Sequence, residues 1–165
     1  MHKEKHEIFD MHYDSVLFVC SGNICRSPTA EGLMRHHAGR NGLDYLVIES
    51  AGTHGLHQGE PPDGRAISMA LGRGIDLRDQ RARKFLARDL DRFDLIFGMD
   101  EGHVHHMRSM ASTDDHINKV HLFLEFTDQD ARGVPDPYYG ADDGFERVYD
   151  MIESGVQSLI SKITA

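Results

Sequence analysis

Apolar positions along this chain fall into two patterns. Short, almost continuous apolar stretches predict strands at 15–19, 45–49, 94–98 and 119–124. Between them, apolar residues recur at three- and four-residue spacing and predict helices at 28–38, 63–71, 101–110 and 142–163. The last pattern is the most regular. Phe145, Val148, Tyr149, Ile152, Val156, Leu159, Ile160 and Ile163 share one face, which assigns that face to the core. Strands alternating with helices predict a single-domain α/β fold, a doubly wound parallel sheet with helices on both faces. Residues 1–13 are polar, histidine-bearing and aperiodic, and read as a mobile extension ahead of a domain spanning 14–165. There is no internal repeat.

The first strand pattern, Ser15-Val16-Leu17-Phe18-Val19, runs straight into Cys20-Ser21-Gly22-Asn23-Ile24-Cys25-Arg26-Ser27-Pro28. A strand apolar at nearly every position is buried on both faces, and open parallel sheets bind ligands beyond the carboxyl ends of such strands. Cys20 falls at that end. Gly22 permits backbone conformations closed to other residues, and Asn23 tolerates a left-handed one, so the backbone of Ser21 to Cys25 can turn its amides inward. Arg26 offers a planar fork matched to two phosphoryl oxygens. Ser27 and Pro28 read as the N-cap and first residue of the following helix, whose positive end then faces the loop. A tetrahedral oxyanion fits this phosphate-binding loop after the first strand, with the Cys20 sulfur as nucleophile beneath it. The Ser27 hydroxyl can donate to that sulfur, supporting it as attacking group and as leaving group.

Cleaving a phosphate ester through a cysteine also requires a proton for the departing oxygen. Val134-Pro135-Asp136-Pro137-Tyr138-Tyr139-Gly140 supplies one: prolines stiffen the chain on both sides of Asp136. Asp136 is thus the candidate general acid, and afterwards the base that activates water. Tyr138 and Tyr139 are candidates to line the pocket rim and stack on an aromatic substrate.

With both segments in view, the chain resembles the low-molecular-weight protein tyrosine phosphatases. The resemblance runs in order from Ser15 to the last helix. It includes CSGNICRSPTAEG, Ser50-Ala51-Gly52-Thr53, Gly74-Ile75 with Ala82-Arg83, Phe93-Asp94-Leu95-Ile96 leading to Met99-Asp100, and DPYYG. It implies a four-stranded sheet and hydrolysis of protein phosphotyrosine through a phosphocysteine, with no cofactor. Cys20 would be the nucleophile, Arg26 the phosphate clamp, Ser27 the hydrogen-bond donor to sulfur and Asp136 the acid. It further implies that Ser50 helps hold Asn23, and that a bacterial tyrosine kinase is a candidate protein partner. Three positions depart from the family pattern. Gln80 stands where many members have a histidine that buttresses the loop asparagine. Leu56 stands where many have a tryptophan, giving an aliphatic pocket wall, and His103 stands where others have asparagine.

Composition narrows the alternatives. The chain has 18 Lys and Arg against 27 Asp and Glu, a net charge of −9, which argues against a nucleic-acid partner. No apolar stretch is long enough to enter a membrane, and two cysteines within one loop point to a reducing, cytoplasmic setting. Cys25 is placed either to form a disulfide with Cys20 on oxidation or to pack behind the loop. His103, His105 and His106, with His36 and His37, form no metal-ligand pattern and read as solvated helix surface. The run from Arg78 to Arg88 reads as a charged loop skirting the pocket. Arsenate reduction would need a further cysteine after Cys25, and none follows. A protein-arginine phosphatase on the same fold typically has threonine at the position of Ile24. A purely anion-binding module would not need Cys20, Arg26 and Asp136 together. A nucleotide-binding glycine loop would need Gly-Lys-Ser/Thr, which is absent here.

Overall fold

The structure, a computed structural model, describes residues 12–127, 132–140 and 143–164. The expectations for residues 1–11 and for a helix start at 142 lie outside the described residues. The chain runs β1 Ser15–Cys20, α1 Arg26–Arg40, β2 Val47–Gly52, α2 Gly64–Gly72, α3 Asp89–Arg92, β3 Leu95–Gly98, α4 Glu101–Ser109, α5 Asp114–Lys119, β4 Val120–Leu122, α6 Phe123–Phe126 and α7 Asp143–Thr164.

The four strands form one parallel sheet in the order β2-β1-β3-β4. Alternation along β1 divides the core. Val16 and Phe18 face a layer containing Leu33 and Met34 of α1 and Ile152 and Val156 of α7. Leu17 and Val19 face the opposite layer, with Leu90, Phe93, Val104 and Met107. Every residue of β1 is buried, which is why its sequence is apolar rather than alternating. Tyr13, just before β1, is also buried in the first layer.

Because β1 is central, the chain must leave it to one side for β2 and return across it for β3. The segments that follow β1, β2 and β3 therefore converge at one end of the sheet, where a doubly wound fold opens its crevice. An isolated bridge between Gly52 and Lys84 extends this end beyond the strands proper.

Several element boundaries differ from the expectations. β2 lies at Val47–Gly52 rather than 45–49, since pairing with β1 carries the strand through Ser50, Ala51 and Gly52 despite their poor strand propensity. The apolar stretch expected as a strand at 119–124 is a three-residue strand followed by the helical turn α6. Short apolar runs do not distinguish the two conformations, and packing of Phe123, Leu124 and Phe126 into the first layer decides here. Helices α3 and α5 are too short to show a periodicity. Helix α1 begins at Arg26, with Cys25 at the N-cap position, not at Pro28 after a Ser27 cap. Ser27 Oγ lies against Cys20 Sγ instead, and Pro28 still sits in the first turn, where a missing N–H costs no helical bond.

His121 of β4 packs edge-on against Phe126, ring centroids 4.4 Å apart, and is 9 % exposed. Burial, with Arg108 nearby, pushes its pKa down to about 4. The folded state thus keeps His121 neutral while the unfolded chain protonates near pH 6.5, so stability falls as pH drops from about 6.5 towards about 4. His121→Leu is expected to remove about 2 kcal/mol of the stability lost between pH 7.5 and pH 5. Urea unfolding of both proteins at the two pH values measures it; an unchanged difference would refute the assignment.

Candidate active site

The loop between β1 and α1 wraps around the carboxyl end of the sheet. Cys20 ends β1 with 2 % exposure, so its sulfur lies at the floor of the pocket that it lines. Ser27 Oγ is 3.0 Å from Cys20 Sγ. Asn23 Nδ2 donates to Ser27 Oγ at 2.8 Å, occupying one lone pair and leaving the hydroxyl proton to point at the sulfur or at Ala51 O, 3.3 Å away.

Asn23 has φ 59°, the one positive value for a non-glycine among the described residues. Asparagine tolerates this left-handed conformation better than most residues, and here its side chain is fully engaged. Besides Ser27, its Nδ2 donates to Ser50 Oγ at 2.9 Å, and its Oδ1 accepts from the backbone N–H of Arg83 at 3.0 Å. Ser50 Oγ donates onward to Glu31 Oε1 at 2.9 Å. Burial raises the Glu31 carboxyl above its ordinary value, against the opposing pull of Arg35 and Ser50. Gln80 takes no part in this chain; its Nε2 donates to Pro28 O at 2.9 Å.

Arg26 is 3 % exposed. Its Nη1 donates to Asp100 Oδ2 at 2.9 Å and to Val134 O at 3.1 Å, and its Nη2 donates to Ser21 Oγ at 3.2 Å. Asp136 Oδ2 lies 3.5 Å from Nη2. Asp136 itself is 38 % exposed in its side chain, and its Oδ1 accepts from the Tyr138 N–H, closing a tight turn after Pro135. Burial works against ionisation of Asp100, yet the backbone N–H of His103 and the Arg26 guanidinium hold that carboxyl below the ordinary range.

This geometry has counterparts. The family model described as low molecular weight phosphotyrosine protein phosphatase matches residues 15–165. The chain belongs to that family. A low molecular weight protein-tyrosine-phosphatase of Streptomyces coelicolor is 41 % identical over 152 residues, covering 90 % of this chain and 92 % of that protein. A crystal structure of an Entamoeba histolytica protein tyrosine phosphatase superposes with TM-score 0.86 at 35 % identity, over 92 % of this chain and 97 % of that one. Vibrio vulnificus Wzb, solved with benzylphosphonate, superposes with TM-score 0.81 at 27 % identity, over 91 % and 99 % of the two chains. The protein is thus an enzyme of a phosphatase family.

Within this phosphatase fold one pocket gathers Cys20, Ser21, Gly22, Ile24, Cys25, Arg26 and Asp136, with Tyr138 and Tyr139 at its mouth. The two tyrosines meet edge-on at 4.9 Å, and Tyr139 is 88 % exposed. Leu56, expected at the rim, is 83 % exposed and does not line this pocket. Its N–H donates to His54 Nδ1, which turns the loop so that the leucine projects outward, and His54 and His57 form the wall instead. His103 is not solvated helix surface: it is 4 % exposed, because its imidazole bonds back to the N-terminus of α4 and to the cradle. Both cysteines are free thiols; Cys25 packs with Ala66 and Phe145, and burial followed by the nearby Asp63 raises its pKa.

Asp100, His103 and Glu31 were not among the expected site residues. For Asp100 a usable signal existed, an acid directly after the third strand of a sheet whose crevice lies there. Gly52 explains the close fit of the loop over β2. A Cβ at Gly52 would lie 2.6 Å from Ser21 O and 3.0 Å from the Gly22 carbonyl carbon, both backbone atoms with little freedom to yield. Gly52→Ala should displace the loop and cost about 1–3 kcal/mol of stability. Orthophosphate binding should fall with it, whereas Gly64→Ala, with open space around it, should leave both unchanged. Calorimetric titration and thermal unfolding of the two variants test this.

Proposed function

We propose that this protein hydrolyses phosphotyrosine in proteins through a phosphocysteine on Cys20. One observation carries the reading. A buried cysteine sulfur with a hydroxyl at 3.0 Å, a buried guanidinium and an aspartate held on a proline-flanked turn all line one pocket. In the first step the Cys20 thiolate attacks phosphorus, an S–P bond forms and the P–O bond to the tyrosine ring breaks. Asp136 gives its proton to the departing phenolic oxygen. In the second step Asp136 takes a proton from water, whose oxygen attacks phosphorus, and the S–P bond breaks to release orthophosphate. Ser27 supports the sulfur as nucleophile and again as leaving group, while Arg26 and the inward amides of residues 21–25 hold the phosphoryl oxygens.

Substrate class follows from depth and rim. With Cys20 buried at 2 % exposure, an aromatic side chain long enough to project its phosphate to the sulfur is favoured over the shorter phosphoserine and phosphothreonine. Tyr138 and Tyr139 at the mouth offer stacking faces for the ring. The benzylphosphonate of the Vibrio vulnificus Wzb structure, an aromatic ring carrying a tetrahedral anion, has the same shape. Ile24 in the wall gives an apolar surface suited to a ring rather than to a guanidinium. The protein partner implied by the family is a phosphotyrosine protein, with a bacterial tyrosine kinase as the candidate. No helix among the described residues is long and apolar enough to cross a membrane.

The test is hydrolysis of p-nitrophenyl phosphate and of a phosphotyrosine peptide by the reduced protein at mildly acidic pH. Cys20→Ser should abolish turnover, and Asp136→Ala should lower kcat by about 10²-fold or more. A phosphoserine peptide should be left intact. Absence of turnover by the intact protein would refute the enzymatic reading of this site.

A further inference from the structure

Ser21 sits between a guanidinium and an imidazole. Its Oγ accepts from Arg26 Nη2 at 3.2 Å and lies 2.9 Å from His103 Nε2. The direction of the second bond follows from the other side of the imidazole. His103 Nδ1 accepts the backbone N–H of Asp100 at 3.1 Å, in a reciprocal cap where Asp100 Oδ1 accepts the His103 N–H, also at 3.1 Å. With the cap setting the tautomer, the lone pair is on Nδ1 and the proton of the neutral imidazole on Nε2, although Nδ1 also lies 3.2 Å from Asp100 Oδ1. Burial, then the charge of Arg26, keeps the ring neutral, lowering its pKa to about 4. On that tautomer Nε2–H donates to Ser21 Oγ. Arg26 Nη2 also approaches Nε2, at 3.5 Å, a longer contact than its 3.2 Å bond to Ser21 Oγ.

Two donors now occupy both lone pairs of Ser21 Oγ, and its O–H must find an acceptor elsewhere. Ser21 lines the Cys20 pocket next to Arg26. A phosphoryl group there presents only acceptors. We propose that the Ser21 hydroxyl is a further substrate-binding donor to the phosphoryl group, and that His103 is the positioning residue that fixes its direction. This rests on the phosphate site proposed above and adds a side-chain donor to the loop amides and Arg26. His103 acts only through Ser21 and through the cap on Asp100, and touches no reacting atom.

Orthophosphate is the probe, because its binding needs no turnover. Titration calorimetry on the reduced full chain should show Ser21→Ala binding orthophosphate about tenfold more weakly, and Ser21→Thr within about threefold of the original. His103→Asn should weaken binding in the original protein but add little once Ser21 is alanine, since its contribution passes through that hydroxyl. kcat/KM should fall in parallel with phosphate affinity. Unchanged binding by Ser21→Ala would overturn the proposal. So would a His103→Asn loss of equal size with and without the Ser21 hydroxyl, which would mean that His103 acts only by capping Asp100. A chain that binds orthophosphate through Ser21 but cleaves no ester would refute the phosphatase mechanism and leave this inference standing. Turnover indifferent to Ser21 would do the reverse.

Discussion

A guanidinium removed from water is the constraint on which this structure depends. Arg26 is 3 % exposed, and burying a charge costs several kcal/mol unless it is paired and hydrogen-bonded. Its partners come from separate parts of the chain: Asp100 from the junction of β3 and α4, Val134 O from the segment before α7, and Ser21 from the loop itself. None of them is near Arg26 in sequence except Ser21. The charge is therefore satisfied only when the β1–α1, β3–α4 and pre-α7 segments have all reached their places. The same arrangement leaves a cation lining the pocket that holds Cys20. In a chain of net charge −9, attraction for an anion is a local property of this loop.

The loop's shape is maintained from below. Asn23 holds a left-handed backbone conformation at a modest cost, and three side-chain hydrogen bonds from its amide offset it. Those bonds lead to Ser27 at the start of α1, Ser50 on β2 and the backbone of Arg83 beyond α2. Glu31 continues the branch through Ser50: its buried carboxyl accepts from that hydroxyl and from Arg35 Nε. Removing one member of such a network leaves another buried polar group without its partner, which is why supports well away from the sulfur bear on the cradle. The absent Cβ of Gly52 lets the loop settle directly onto β2.

The elements most legible in the sequence were those whose patterns arise from a single cause. β1 is apolar throughout because both faces are covered, and α7 repeats its apolar stripe because one face meets the core. The Cys20–Arg26 loop was legible because a tight turn between strand and helix needs residues such as glycine and a left-handed asparagine at fixed spacing, and those requirements are local. Leu56 was misplaced because loop direction there depends on hydrogen bonds to the His54 side chain, Ser21 O and Ala82 O that its own sequence does not reveal. His103 was misread as surface because its burial depends on what α4 docks against, which its own neighbours in sequence do not reveal.

By itself, then, the sequence determined the α/β class, the central buried strand, the Cys20–Arg26 loop with its sulfur and guanidinium, and Asp136 on its proline-flanked turn. Each follows from short-range chemistry: periodicity, backbone freedom and residue type at close spacing. Tertiary structure alone decided which distant groups complete the site. Asp100 on Arg26, Ser50 and Arg83 on Asn23, and His103 on Ser21 are contacts across 27 to 82 residues. Their geometry is set by the strand order β2-β1-β3-β4, which gathers the ends of three strands at one place. No local pattern encodes that order; it is chosen by the packing of two helical layers against a sheet whose centre is β1.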